Sequence, residues 1–260
     1  MTKEYTYRDS HKYASKGTEY EAYYETQPWQ RFLWSREREI ILRILEKYFA
    51  HRDIHLLDFA CGTGRITSLL EDRVKTSTGV DVSSSMLAIA REKLKRTEII
   101  EADITIDNVL EGRKFNLIMA FRFFVNAEPA LRSAAIEALA KLLSEDGYLV
   151  FNNHQNYGSP WIKLLHMRHQ QKNPQGIFNV MTIDEMNRLV EDVGMEIVEL
   201  YPAGFFHPPK IAVPQTVTAV IENVCCKFES LARFSESPIM VCSWRSKLQR
   251  TDDRRQRTEF

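Results

Sequence analysis

The chain has 260 residues, of which 44% are apolar, enough to bury one sizeable core with a small appended subdomain. Lys plus Arg number 35 and Asp plus Glu number 35, so no long-range field recruits nucleic acid or anionic membrane. The cysteines Cys61, Cys225, Cys226 and Cys242 show neither CxxC spacing nor a neighbouring His pattern. That argues against a zinc site or a disulfide framework and favours a reducing compartment. The start, MTKEYTYRDSHKY, has no apolar leader, and no stretch reaches the ~18 apolar residues of a spanning helix. The expectation is a soluble cytoplasmic protein with no nucleic-acid partner and no membrane segment; oligomeric state is not readable.

Residues 1–28 are polar and rich in tyrosine (Tyr5, Tyr7, Tyr13, Tyr20, Tyr23, Tyr24), which suits an N-terminal flap. From Trp29 to Tyr48 the positions Phe32, Leu33, Ile40, Ile41, Ile44 and Leu45 recur at helical intervals and predict an amphipathic helix. Strands are then predicted at Ile54–Phe59, Ser77–Val80, Thr97–Ile100, Phe115–Phe121 and Tyr148–Phe151, with helices between them at Ile66–Arg73, Ser84–Lys95 and Pro129–Leu143. Such alternation specifies βαβ crossovers and a mostly parallel sheet. Residues 154–181 are rich in Asn, Gln, Gly and Pro, and read as an excursion over the sheet edge. MTIDEMNRLVEDVG reads as a helix capped by Thr182, with Glu185 at the capping-box offset and Gly194 past its end. Two last strands, Met195–Tyr201 and Pro238–Trp244, flank an insertion at 203–237 in which Cys225 and Cys226 read as core. The main domain thus spans 29–246, and 247–260 is charge without periodicity, expected to be a disordered tail.

The chemistry gathers at strand ends. LLDFACGTGR places Asp58 at the end of the first strand, followed by a loop of small residues, Ala60 to Gly64, in which Gly62 and Gly64 permit close backbone approach. In a doubly wound sheet this loop faces the ligand crevice. A dinucleotide fingerprint fails, because the position of its third glycine is Thr67. Asp81 in GVDVSSSML and Asp103 in EADI repeat the acid at the ends of the next two strands.

With these motifs in this order, followed by YLVFNNH, the chain resembles the class I S-adenosylmethionine-dependent methyltransferases over about residues 30–155. The resemblance implies a Rossmann-like α/β fold, a doubly wound, mostly parallel seven-stranded sheet with the N-terminal flap and the insertion before the last strand. It implies S-adenosylmethionine as cofactor. Asp58 and the Ala60–Gly64 loop, Cys61 included, would hold the methionine portion; Asp81 would accept both ribose hydroxyls, near Val82 and Met86; Asp103 would bond the adenine amino group, with the Ile104 amide near the ring and Phe121 beside the cofactor. Ala60 stands where the family more often has glycine, and a slightly wider turn would accommodate its methyl group.

Loops after strands four and five flank the reacting methyl group in this fold. FRFFVNAEP offers Arg122, Phe123 and Asn126 for the acceptor, with an Arg122–Glu128 ion pair as the structural alternative for the arginine. NNHQN offers His154 as a general base, since an ordinary imidazole accepts a proton near neutrality. Asn152, Asn153 and Asn156 flank it. Tyr20, Tyr24 and Phe206 would close the acceptor pocket from the flap and the insertion. His166 and His169 lack a third ligand, strand four ends without a carboxylate cluster, and no [DN]PPY motif follows it; metal-dependent and base-flipping types are therefore not supported. FRFF-x-N-x-EP and NNH-x-N resemble a group of bacterial methyltransferases, some associated with glycan or secondary-metabolite assembly. The expected reaction is methyl transfer to an oxygen or nitrogen of a small-molecule acceptor. The alternatives are a nicotinamide-dependent reductase, for which a Tyr-x-x-x-Lys pair is missing, and a non-catalytic nucleoside-binding protein.

Overall fold

A computed structural model describes residues 7–8, 13, 15–174, 176, 178–205 and 215–245. The strands are β1 (His55–Phe59), β2 (Thr76–Asp81), β3 (Glu98–Glu101), β4 (Phe115–Ala120), β5 (Leu143–Asn152), β6 (Met195–Tyr201) and β7 (Ile239–Trp244). They form one sheet in the order β3-β2-β1-β4-β5-β7-β6, with β1 to β5 parallel and β7 antiparallel to both its neighbours. Strand order reverses between β1 and β4, so the crevice for a ligand opens beyond the carboxyl ends of these two strands. The runs LLDF and FNLIMA read as continuous apolar stretches because both faces are covered. Leu57, Phe59 and Ile118 enter one core layer, while Leu56, Leu117 and Met119 enter the other.

The helices are α1 (Lys16–Thr26), α2 (Pro28–Phe49), α3 (Arg65–Leu70), α4 (Ser84–Lys93), α5 (Pro129–Leu142), α6 (Pro160–Lys172), α7 (Ile183–Glu191) and α8 (Gln215–Cys225), with a 3-10 turn at Glu229–Phe234. On α2 the stripe Leu33, Ile40, Ile41, Ile44 and Leu45 is buried against the sheet, and Glu37 lies in the same stripe with no exposure. The predicted capping box of α7 is present: Thr182 Oγ1 accepts the Glu185 N–H at 3.2 Å and Glu185 Oε2 accepts the Thr182 N–H at 2.6 Å.

Residues 154–181 carry α6, and the asparagines offered by NNHQN tie this excursion down. Asn153 Nδ2 donates to the Met181 carbonyl at 2.7 Å, and Asn156 Nδ2 donates to the Arg233 and Ser235 carbonyls at 2.9 and 2.8 Å. Both side chains are fully buried, which makes them braces of the loop and not acceptor contacts. Cys225 and Cys226 depart from the expected core position: both are half-buried, at the end of and just after a helix whose Val220 and Val224 are exposed.

The N-terminal segment is an ordered part of the fold where it is described. α1 docks on α4 through Gly17, where an added Cβ would lie 2.6 Å from the Ser85 carbonyl oxygen. The backbone of α4 cannot yield to such a clash, so Gly17→Val is expected to push α1 away while the sheet stays intact. Far-ultraviolet circular dichroism should be nearly unchanged while cofactor affinity falls several-fold; wild-type affinity in a folded variant would show that α1 is no lid.

Candidate active site

The loop after β1 turns through left-handed backbone at three positions, Ala60 (φ 54°), Gly62 (φ 56°) and Gly64 (φ 77°). Ala60 therefore does not widen the turn, as its methyl group suggested; it adopts the glycine conformation itself, at a strain of roughly 1–2 kcal/mol. The two glycines differ in role. At Gly62 an added Cβ would meet only the Met86 sulfur at 3.4 Å, and the residue borders the crevice. At Gly64 it would strike Leu94 Cδ1 at 2.8 Å. Gly64 thus also seats α3 on the end of α4, and it is absent from the lining of the cavity over the loop.

Asp81 ends β2 and clamps this loop: its Oδ2 accepts the Gly62 N–H at 2.8 Å and its Oδ1 the Ser83 N–H at 2.9 Å. Burial raises its pKa, against those backbone bonds. Asp58 ends β1, where its Oδ2 accepts the Thr67 hydroxyl at 2.6 Å and the Thr67 N–H at 3.2 Å. Burial pushes its carboxyl up to about 7, although the Thr67 bonds oppose the shift. Asp103 follows β3. Its Oδ1 accepts the Thr105 hydroxyl at 2.6 Å, and its Oδ2 accepts Arg8 Nε at 2.5 Å. Burial works to raise its pKa, but these bonds win and lower it.

A cavity of about 420 Å³ opens over the loop. Its floor is Asp58, Ala60, Cys61, Gly62, Asp81 and Met86; Tyr7, Tyr20, Tyr23 and Tyr24 close it from the N-terminal segment; Phe121, Arg122, Asn126 and His154 form the far wall. A smaller chamber of about 30 Å³ adjoins it, sharing Ala60 and Asp81 and bounded by Val82, Asp103 and Phe123. Tyr7 and Arg8 cover this chamber, the Tyr7 ring standing edge-on to Phe123 at 5.1 Å and the Tyr7 N–H donating to Glu128 at 2.5 Å.

The far wall is held by a buried charge cluster. Arg122 sits at φ 60°, and its N–H donates to Asn152 Oδ1 at 2.7 Å. Its guanidinium reaches Glu37 Oε1 at 3.4 Å, and Arg65 reaches Glu37 Oε2 at 3.0 Å. Asn152 Nδ2 donates to the same Glu37 Oε1 at 3.2 Å. Arg65 lies between two rings, 4.5 Å from Tyr24 and 4.2 Å from Trp34, while Arg122 lies 5.1 Å from Tyr24. Two guanidiniums thus share one carboxylate, leaving an excess positive charge at the wall. The expected Arg122–Glu128 pair does not form, since Glu128 is occupied by Tyr7 on the other side of the loop.

The profile of the family described as "Methyltransferase domain" matches residues 29–200, which is more than half of the chain. The chain belongs to the class I S-adenosylmethionine-dependent methyltransferases. It is similar to a ubiquinone/menaquinone biosynthesis C-methyltransferase of Campylobacter jejuni, 30% identical over 42% of this chain and 47% of the relative. A malonyl-[acyl-carrier protein] O-methyltransferase of Priestia megaterium is 24% identical over 74% of this chain and 67% of its own length. Magnesium protoporphyrin IX methyltransferase of Synechocystis, solved with bound S-adenosylhomocysteine, shares the fold with a TM-score of 0.62 at 14% identity, covering 89% of this chain and 96% of that one. The chain spans about half the length of the first curated relatives it matches.

The residues of this chain fit the family's cofactor at its methionine and ribose ends. Asp58 is a buried carboxyl bordering the cavity, where an ammonium group would favour its ionised form, and Asp81 borders it too, with its backbone bonds leaving the carboxylate room for a further donor. At the adenine end Asp103 is already paired with Arg8. Val82 borders that chamber, and the Ile104 side chain is buried in the same core cluster as Leu110 and Phe115, which leaves the expectation for its amide untouched. Phe123 also departs from expectation: it packs against Phe59 at 4.7 Å and Phe124 at 5.3 Å in the adenine-side chamber, away from Arg122 and the acceptor. Tyr20, Tyr24, Arg122, Asn126 and His154 do meet in one cavity. Phe206 lies outside the described residues.

His154 is corrected in its chemistry. Burial, then the charges of Arg122 and Arg65, push its pKa down to about 3, so the imidazole is neutral at physiological pH and does not titrate near its ordinary value. Its Nδ1 has no hydrogen-bond partner among the described residues. Sequence reasoning passed over Glu37 and Arg65. The signal for Glu37 was a charge in the apolar stripe of α2, four residues from Leu33 and from Ile41; for Arg65 it was a cation opening the helix that follows the glycine loop.

Proposed function

We propose that this protein transfers the methyl group of S-adenosylmethionine to an oxygen or nitrogen of a small-molecule acceptor seated against Arg122, Asn126 and His154. The observation that carries this reading is a single cavity with the glycine loop and two acids on its floor and a separate polar wall facing them. The cofactor, when bound, supplies an electrophilic methyl group, so the protein's task is in-line positioning with water excluded. Asp58 would hold the α-ammonium and Asp81 the ribose. Tyr20 and Tyr24 would cover the reacting centre, and the excess charge of Arg65 and Arg122 favours a carboxylate nearby, from the cofactor or from the acceptor. The malonyl-[acyl-carrier protein] O-methyltransferase relative supports an anionic oxygen acceptor, since a malonyl group carries one carboxylate. Such an acceptor arrives deprotonated and needs no base.

Titration with S-adenosylhomocysteine tests the cofactor half. An ammonium beside Asp58 favours its ionised form, so binding should release a proton at pH 6 to 7, where the free carboxyl is substantially protonated, and release none well above its pKa of about 7. Calorimetry in buffers of different ionisation enthalpy reads this directly, and proton uptake, or preferential binding of NADH, would overturn the assignment. Turnover of candidate acceptors separates an enzyme from a nucleoside-binding protein.

His154 would position the acceptor as a neutral imidazole. His154→Ala should lower turnover about tenfold, the effect of one hydrogen bond in a dry site. The pH–rate profile should keep its shape between about pH 5 and 8, because a group with its pKa near 3 stays deprotonated across that range. A wild-type limb near pH 6.5 that the variant lacks would restore the general-base role.

A further inference from the structure

Outside the cavity, on the far side of the Tyr24–Arg65–Trp34 stack, lies a second concavity of about 540 Å³. Two helical ladders face each other across it: Arg31, Trp34 and Arg38 from α2, and Arg65, Leu69 and Arg73 from α3 and the turn after it. Positions 31, 34 and 38 fall at helical spacing and present one stripe of α2, Arg65 and Leu69 do the same on α3, and Arg73 follows in the turn after it. In a chain with equal numbers of acidic and basic residues, this groove collects unbalanced charge. Lys93 is held by Glu21 at 2.5 Å and Arg65 by Glu37, but Arg31, Arg38 and Arg73 have no carboxylate partner among the described residues. Glu25 is the one further acid bordering the groove.

Arg65 and Tyr24 line both concavities. A molecule lying in the outer groove would therefore be a single side-chain layer from the floor that holds the cofactor. Guanidiniums converging on a concave surface present paired N–H donors that match the oxygens of a phosphate better than those of a solvated surface ion. We propose that this groove binds a phosphate or pyrophosphate group, with Arg31, Arg38 and Arg73 as its anion-binding residues and the Arg65 stack as the wall it shares with the cofactor cavity. The anion site does not rest on the methyl-transfer reading.

The test is calorimetric titration of sodium pyrophosphate into the full-length protein saturated with S-adenosylhomocysteine, at low and constant ionic strength. One saturable site is expected, weakened by added salt. The triple variant R31A/R38A/R73A should bind pyrophosphate at least about tenfold more weakly, with unchanged affinity for S-adenosylhomocysteine as the check on its fold. No saturable binding, or equal binding by the triple variant, would overturn the proposal. So would pyrophosphate binding that S-adenosylhomocysteine abolishes, because the anion would then sit in the cofactor cavity. Failure of the methyltransferase reading shows separately, as a protein that takes up pyrophosphate but not S-adenosylhomocysteine.

Discussion

Glu37→Ala is expected to destabilise the protein by about 3–5 kcal/mol, the cost of removing one partner from a buried ion cluster. Glu37 has no exposure, and its carboxylate takes Arg65, Arg122 and Asn152 at 3.0, 3.4 and 3.2 Å. Alanine would leave two guanidiniums, each with a side chain only 14% exposed, facing one another with no counter-charge. Against a total stability of about 5–15 kcal/mol for a domain, that loss moves the midpoint of a urea titration far enough to read without ambiguity. Glu37→Gln keeps the shape and an acceptor oxygen but not the charge, so it should fall between the two. A loss under about 1 kcal/mol for alanine would mean that water in the cavity screens the arginines, and the cluster would then be a polar wall without structural weight.

The sheet was legible because its signals are local. β1, β4 and β7 carry short apolar runs, β5 ends in one, and Asp58, Asp81 and Asp103 lie at or just past the ends of β1, β2 and β3. The register of Asp58 and Asp81 around the loop followed from sequence spacing alone. What escaped depends on distant partners: Arg8 meets Asp103 across 95 residues and Arg122 meets Glu37 across 85. His154 looked like a titrating base because an isolated histidine is one; its altered chemistry comes first from burial and then from Arg122 and Arg65, all of which act on it only through the fold. Gly64 shows the same limit at short range. The motif marks it as a cradle residue, and Leu94, at the end of α4, adds a packing demand that the motif does not show. Phe123 and Arg122 are adjacent in the chain, yet the left-handed turn at Arg122 sends them to different chambers.

Asp81→Ala is expected to weaken binding of S-adenosylmethionine and S-adenosylhomocysteine by about a hundredfold. Hydrogen bonds to a charged acceptor are worth about 1.5–3 kcal/mol each, and the loss of two ribose contacts at the lower figure is about 3 kcal/mol, or two factors of ten. Asp81 also holds the Gly62 and Ser83 N–H groups, so its removal frees the loop that forms the cavity floor. Asp81→Asn separates the two contributions, because one amide oxygen can still accept the Gly62 N–H while the –NH₂ group cannot accept a hydroxyl. The ribose reading therefore places the asparagine variant between wild type and alanine in affinity for the two nucleosides, since its one amide oxygen can accept the Gly62 N–H and one hydroxyl but not both hydroxyls. Stability moves the other way. Burial raises the Asp81 pKa, so ionising it costs the folded state, and the native fold loses stability as pH rises from its unfolded value through the raised folded one. The melting deficit of a neutral substitute relative to wild type should then be smaller at high pH than at low pH. An alanine variant that binds S-adenosylhomocysteine with wild-type affinity would remove Asp81 from the cofactor site and leave it a clamp of the glycine loop alone.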